Sequence, residues 1–147
     1  MKDIILDIPK GYEFFGVDDN NKVVLKPIQH LYPQTFDECC KVLGIDYLNC
    51  VDYVVGYKRE LLKSLQKLLI CRDAYWKIAG EEMGFGESWK PNWNESTPKY
   101  AISVIENKLV KPFALTQNYV IAFPSEKKRD DFYENFKELI EQCKELL

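Results

Sequence analysis

The sequence predicts an α+β fold: an antiparallel sheet, made of an N-terminal hairpin plus later strands, packed by two long helices. Three observations point there. Apolar side chains recur at spacings of three and four over residues 58–83, and again after Ser125. Short β-rich runs bounded by turn residues occupy the N-terminus and the stretch between those helices.

The elements follow in order. Residues 12–16 and 22–28 flank Asp18-Asp19-Asn20-Asn21, and Asp and Asn accept turn conformations, so this is a β-hairpin. Thr35 and Glu38 have the spacing of a capping box. The helix they open runs to Leu43 and stops at Gly44, a residue suited to the left-handed C-terminal position. Residues 45–57 are ambiguous, and Val51 to Tyr57 fits a strand or a loop. Lys58 to Met83 is the strongest helix, with Leu61, Leu65, Leu68, Arg72, Trp76, Ala79 and Met83 on one stripe. Gly84-Phe85-Gly86 ends it, and residues 87–98, with two prolines and two tryptophans, form a long loop. Tyr100 to Ile105 and Tyr119 to Phe123 are expected strands, with a third near Lys108 to Ala114. Ser125 caps a final helix to Leu147, striped by Arg129, Phe132, Tyr133, Phe136, Leu139, Ile140, Cys143, Leu146 and Leu147.

The 147 residues are expected to form one domain, which buries about 69% of the surface its unfolded chain exposes. With 46% hydrophobic residues, the chain has the apolar surface to offset its ordering entropy, so general disorder is excluded. No run of about 18 apolar residues is present, so no membrane span is expected. Met1 to Lys10 carries Asp3 and Asp7 and lacks the apolar stretch of a signal peptide, which makes the cytoplasm the expected compartment. Cys39, Cys40, Cys50, Cys71 and Cys143 contain no C-x-x-C pair and are expected as reduced, buried or half-buried thiols. His30 is the only histidine, which rules out a multi-histidine metal cage, and neither metal nor cofactor is implied. Residues 1–55 carry net charge −4 and residues 56–147 net +1. Neither half is polybasic, so strong nonspecific nucleic-acid binding is not expected. A small anion needs only two or three placed cations.

Only three of the twenty cations are arginines, and two of them fall where apolar residues belong. At about 100° per residue, Arg72 points within roughly 20° of Leu61. Arg129 lies about 60° from Phe132, in the first turn of its helix, where the dipole favours an anion. The functional reading is capture of an anionic ligand by Arg72, Arg129 or both. The plain alternative is ion pairing with a carboxylate from a neighbouring element, the aliphatic stem packed on aromatics. Trp89-Lys90-Pro91-Asn92-Trp93 places two indoles in a loop, either stacking on a flat ligand or folding back as a lid over the core. Tyr75 and Trp76 stand beside Arg72, so Arg72, Tyr75, Trp76, Trp89 and Trp93, with Arg129, are the candidate ligand-binding set. Glu81-Glu82 and Asp130-Asp131 are adjacent in sequence, and neither makes an acid/base pair facing one site. Gly80, Gly84 and Gly86 fit a helix C-terminus rather than a phosphate loop.

The chain resembles a group of short proteins of phages and prophages of gut Bacteroidetes. The likeness runs through Gly11-Tyr12-Glu13, residues 33–40 (PQTFDECC), Cys71-Arg72-Asp73-Ala74-Tyr75-Trp76, Trp89-Lys90-Pro91-Asn92-Trp93, and Phe123 with residues 129–136 (RDDFYENF). Several such proteins share a W-K-P-D-W segment, in which Asn92 here replaces the aspartate. The resemblance implies a mobile-element context and no particular chemistry. The expected function is therefore that of a non-enzymatic phage accessory protein acting by binding a small anionic, nucleotide-like ligand or a host protein. The alternative is a virion structural or assembly component acting through self-association as a homo-oligomer. An enzyme such as a nuclease or phosphodiesterase would need an acid cluster that the spacing does not supply.

Overall fold

A computed structural model describes residue 5 and residues 7–9, 12–27, 31–46 and 56–147. Val51 to Val55, His30 and Cys50 lie outside the described residues, so the alternatives at 51–55 and the readings of His30 and Cys50 are not addressed.

The first helix, α1 (Phe36–Leu43), ends as its sequence requires. The Thr35 hydroxyl accepts from the Glu38 amide at 3.2 Å, and the Glu38 carboxylate accepts from the Gln34 amide at 2.7 Å. The first bond satisfies a donor that the first helical turn leaves open, and the second ties the residue before the cap back to that turn. Gly44 closes the helix at φ +67°, a conformation that costs glycine little.

The second helix, α2 (Arg59–Glu82), is the centre of the molecule. It buries Leu68, Cys71, Ala74, Tyr75, Trp76, Ile78 and Ala79. That is wider than one amphipathic stripe, because α1, the C-terminal helices and the main sheet pack around it. The predicted final helix is broken. It divides into α3 (Glu126–Asn135), capped by the Ser125 hydroxyl on the Lys128 amide, and α4 (Lys137–Gln142), followed by a short 3-10 turn. Phe136, at φ −122° and ψ 23°, is the break. Its physical reason lies in spacing. Phe132, Phe136 and Ile140 are four apart, and each such step drifts about 40° around an ideal helix. The break lets all three stay buried.

The main sheet is built on β3 (Lys99–Ile105), which pairs antiparallel with β4 (Lys108–Val110), β5 (Phe113–Ala114) and β6 (Ile121–Phe123). Glu106 and Asn107, both at positive φ, form the tight turn between β3 and β4. The expected third strand near Lys108 to Ala114 is thus two short ones.

The N-terminal hairpin exists, as β1 (Tyr12–Val17) and β2 (Val23–Pro27), turned where the Asp18 carboxylate accepts the Asn20 and Lys22 amides. It is a separate two-stranded sheet, which corrects the expectation of one sheet shared with the later strands. The reason is that β3 finds its partners locally. Tyr100 pairs with Phe113 and with Phe123, so both of its flanks are taken by strands close in sequence. Phe15, 65% exposed, and its hairpin neighbours stay outside the buried core. The architecture is α+β, with antiparallel pairing throughout. Among the described residues no helix is long and apolar enough to cross a membrane.

Candidate ligand cleft beside the central helix

The site begins at a glycine. Gly80 lies within α2, and a Cβ there would overlap the Glu87 carbonyl and stand 2.7 Å from the Trp89 amide nitrogen. Its bare backbone therefore lets the loop after α2 lie directly on the helix. The Phe85 amide donates to the Gly80 carbonyl at 3.0 Å and the Trp89 amide to the Trp76 carbonyl at 2.9 Å. This docking sets the Trp89 ring edge-on to Trp76, with centroids 5.8 Å apart.

A cleft of about 560 Å³ opens between α1, α2 and the docked loop, lined by Leu43, Ile45, Arg72, Asp73, Trp76, Ser88 and Lys90. The Arg72 guanidinium stacks over the Trp76 ring at 4.1 Å. Its Nε and Nη2 donate to one Asp73 oxygen at 3.0 and 2.8 Å, and its Nη1 donates to the Val120 carbonyl at 2.9 Å. A guanidinium has five N–H groups, so two protons remain. Asp73 offsets the Arg72 charge, and the cleft's net positive charge comes from Lys90, which has no ion-pair partner among the described residues. The Ser88 hydroxyl likewise makes no hydrogen bond within the described chain. Trp76 is fixed by its Nε1 donating to the Ala122 carbonyl at 2.8 Å.

Of the six candidate residues, the structure brings Arg72 and Trp76 into this cleft and places Trp89 behind Trp76. The other three lie elsewhere. Tyr75 is fully buried, edge-on to Phe132 and Phe136. Its hydroxyl donates to the Pro33 carbonyl and accepts from Asn135, both at 3.0 Å. Burial pushes this phenol above its ordinary range, and no ligand can stack on its ring. Trp93 turns away to Tyr119, with the Lys99 ammonium 5.4 Å from its ring centroid. Arg129 is buried beside Tyr100 and is an ion-pairing residue. Its Nε donates to Asp130 at 3.0 Å, its Nη2 to Glu126 at 3.3 Å and its Nη1 to the Lys111 carbonyl at 3.1 Å. Slight burial pulls the Asp130 carboxyl upward, but Arg129 and Lys111 outweigh it and hold the group below the usual carboxylate range.

Sequence reasoning missed Lys90 and Ser88. The sequence signal for Lys90 is its place between the two tryptophans. Sequence reasoning also missed that Arg72 and Arg129 each pair with the aspartate directly after them. Adjacent helical positions do not face each other, so the pairing depends on a long side chain folding back.

Other reactive groups are buried. Contact with the Cys39 thiol and burial push the Cys71 thiol up, and burial pushes the Cys143 thiol up to about 11. Cys39, Cys40, Cys71 and Cys143 are all buried, and none is in a disulfide. Among the described residues no group of three His, Cys, Asp or Glu side chains is placed to hold a metal ion. The chain matches no protein-family model, no curated protein and no solved structure.

Proposed function

We propose that this chain is a non-enzymatic binding protein, a phage or prophage accessory factor of the host cytoplasm. Its ligand is a small, flat, anionic molecule of nucleotide type. The observation that carries the reading is the cleft itself: two unused Arg72 protons, an unpaired Lys90 ammonium and an unbonded Ser88 hydroxyl around an aromatic-backed space of about 560 Å³. Cavities of that size hold small molecules, and a few convergent polar groups set their orientation. An arginine already stacked on an indole can receive a planar anion on its other face. Titration calorimetry against a panel of cyclic and linear nucleotides tests it. At least one member should bind, and Lys90→Met and Arg72→Gln should each weaken that binding. Silence across the panel removes the nucleotide reading and leaves a host protein as the partner.

One observation favours the second reading, self-association as a virion component. The hairpin exposes Tyr12, Phe14, Phe15, Val17 and Val23 and has no third strand among the described residues. Two-stranded sheets are marginal on their own. Mass photometry should then show a closed oligomer that Phe15→Glu dissolves. A monomer at micromolar concentration sets this reading aside.

A further inference from the structure

The cleft does not end at Ser88 and Lys90. Both residues also line a second space of about 450 Å³, whose other walls are Phe85 and Glu87. The two spaces therefore adjoin along the docked loop. Phe85 is 55% exposed, although an aromatic ring gains by leaving water. Its backbone is nevertheless anchored. The Phe85 amide donates to the Gly80 carbonyl at 3.0 Å, and Gly84 and Gly86, both at φ +73°, shape the turn on either side. Glu87 has no ion-pair partner among the described residues.

Charge sorts the ligands that could span both spaces. Asp73 offsets Arg72, so the junction carries one unpaired cation, Lys90, beside one hydroxyl donor, Ser88. A phosphodiester brings a single negative charge there, whereas a phosphate monoester brings about 1.5–2 at pH 7. A polyphosphate chain running on from the junction would meet the Glu87 carboxylate, and like charges repel. A nucleoside running the same way brings no charge. Its base has a face for the Phe85 ring, and its N–H and hydroxyl groups can donate to Glu87. We propose, resting on the nucleotide reading of the cleft, that the ligand is a free linear dinucleoside monophosphate. One base lies against Arg72 and Trp76, the bridging phosphate sits at Ser88 and Lys90, and the second nucleoside stacks on Phe85.

Titration calorimetry of the full chain tests this with ApA, CpC, GpG and UpU, each against the nucleoside monophosphate and diphosphate of its own base. The best dinucleoside should bind at least about tenfold more tightly than either, the gain from stacking one more base on an aromatic ring. Phe85→Ala should bring it down to the level of the monophosphate. Phe85 is exposed, so the variant is expected to fold; where it does not, the comparison on the unaltered chain decides. A hexanucleotide of the same base tells a free dinucleotide from a strand end. Its extra phosphates find no further unpaired cation in these walls, so it should bind no more tightly. A dinucleoside no tighter than its monophosphate or diphosphate overturns the proposal and leaves the nucleotide reading of the cleft standing. Silence across the whole panel removes both. A gain that survives in folded Phe85→Ala, or tighter binding of the hexanucleotide, also overturns it.

Discussion

Replacing Gly80 with alanine isolates the contact that docks the loop on α2. In an isolated helix this change would stabilise by about 1 kcal/mol, since glycine is the poorer helix former. Here the new Cβ would overlap the Glu87 carbonyl and crowd the Trp89 amide nitrogen at 2.7 Å. Both are backbone atoms, so no side chain can rotate away, and the loop must back off. Overpacking of this kind costs about 1–3 kcal/mol. Retreat of the loop also stretches the 2.9 Å bond from the Trp89 amide to the Trp76 carbonyl, worth about 1 kcal/mol. The net expectation is a loss of about 1–3 kcal/mol. Urea denaturation followed by far-ultraviolet circular dichroism measures it. Tryptophan emission should shift at the same time, because Trp89 leaves Trp76. Gly16→Ala is the control, since nothing lies within 4 Å of its Cβ position and its change should stay within about 0.5 kcal/mol. A Gly80→Ala protein as stable as the parent or more so would refute the reasoning.

Three further outcomes follow from named contacts. Arg72→Leu should cost about 1–2 kcal/mol, from the Val120 hydrogen bond and the Trp76 stacking, as read by chemical denaturation. The full cost of stranding a buried carboxylate, about 3–5 kcal/mol, does not apply, because the Asp73 side chain is 47% exposed. Tyr32→Phe should stabilise by about 0.5–1.5 kcal/mol in the same assay, since the Tyr32 hydroxyl is buried without a hydrogen-bond partner; burial, with Glu82 nearby, accordingly pushes that phenol up. Asp130→Asn should destabilise at neutral pH. A depressed folded-state pKa gives stability above the unfolded value of about 3.9 and loses it as pH falls through the folded value, so the gap between parent and variant should close below about pH 4.

How much of this was legible in the sequence varies with the range of the interaction. Thr35, Glu38 and Gly44 marked both ends of α1, because each cap is completed within a few residues. Ser125 marked the start of α3 and Asp18 the hairpin turn for the same reason. The apolar period over residues 58–83 located α2 to within a residue of its ends. The break at Phe136 was not legible, because an unbroken apolar stripe looks the same whether or not the helix bends to keep it buried.

The candidate site divides along the same line. Sequence alone determined that Arg72 and Trp76 lie on one helix at a spacing that lets them stack, and that two indoles follow in a loop. Tertiary structure decided the rest. Trp76 is anchored to the Ala122 carbonyl and Arg72 to the Val120 carbonyl, both on or beside a strand far along the chain. Tyr75, one position earlier than Trp76, is carried inward to the phenylalanines of the last helices instead. Trp89 and Trp93 separate because Gly80 admits the loop on one side while Lys99 and Tyr119 hold Trp93 on the other. Helical phase and capping are set by hydrogen bonds within a turn or two. Which side of a helix meets a sheet, and which cation finds a carboxylate first, is set by partners that only folding brings within reach.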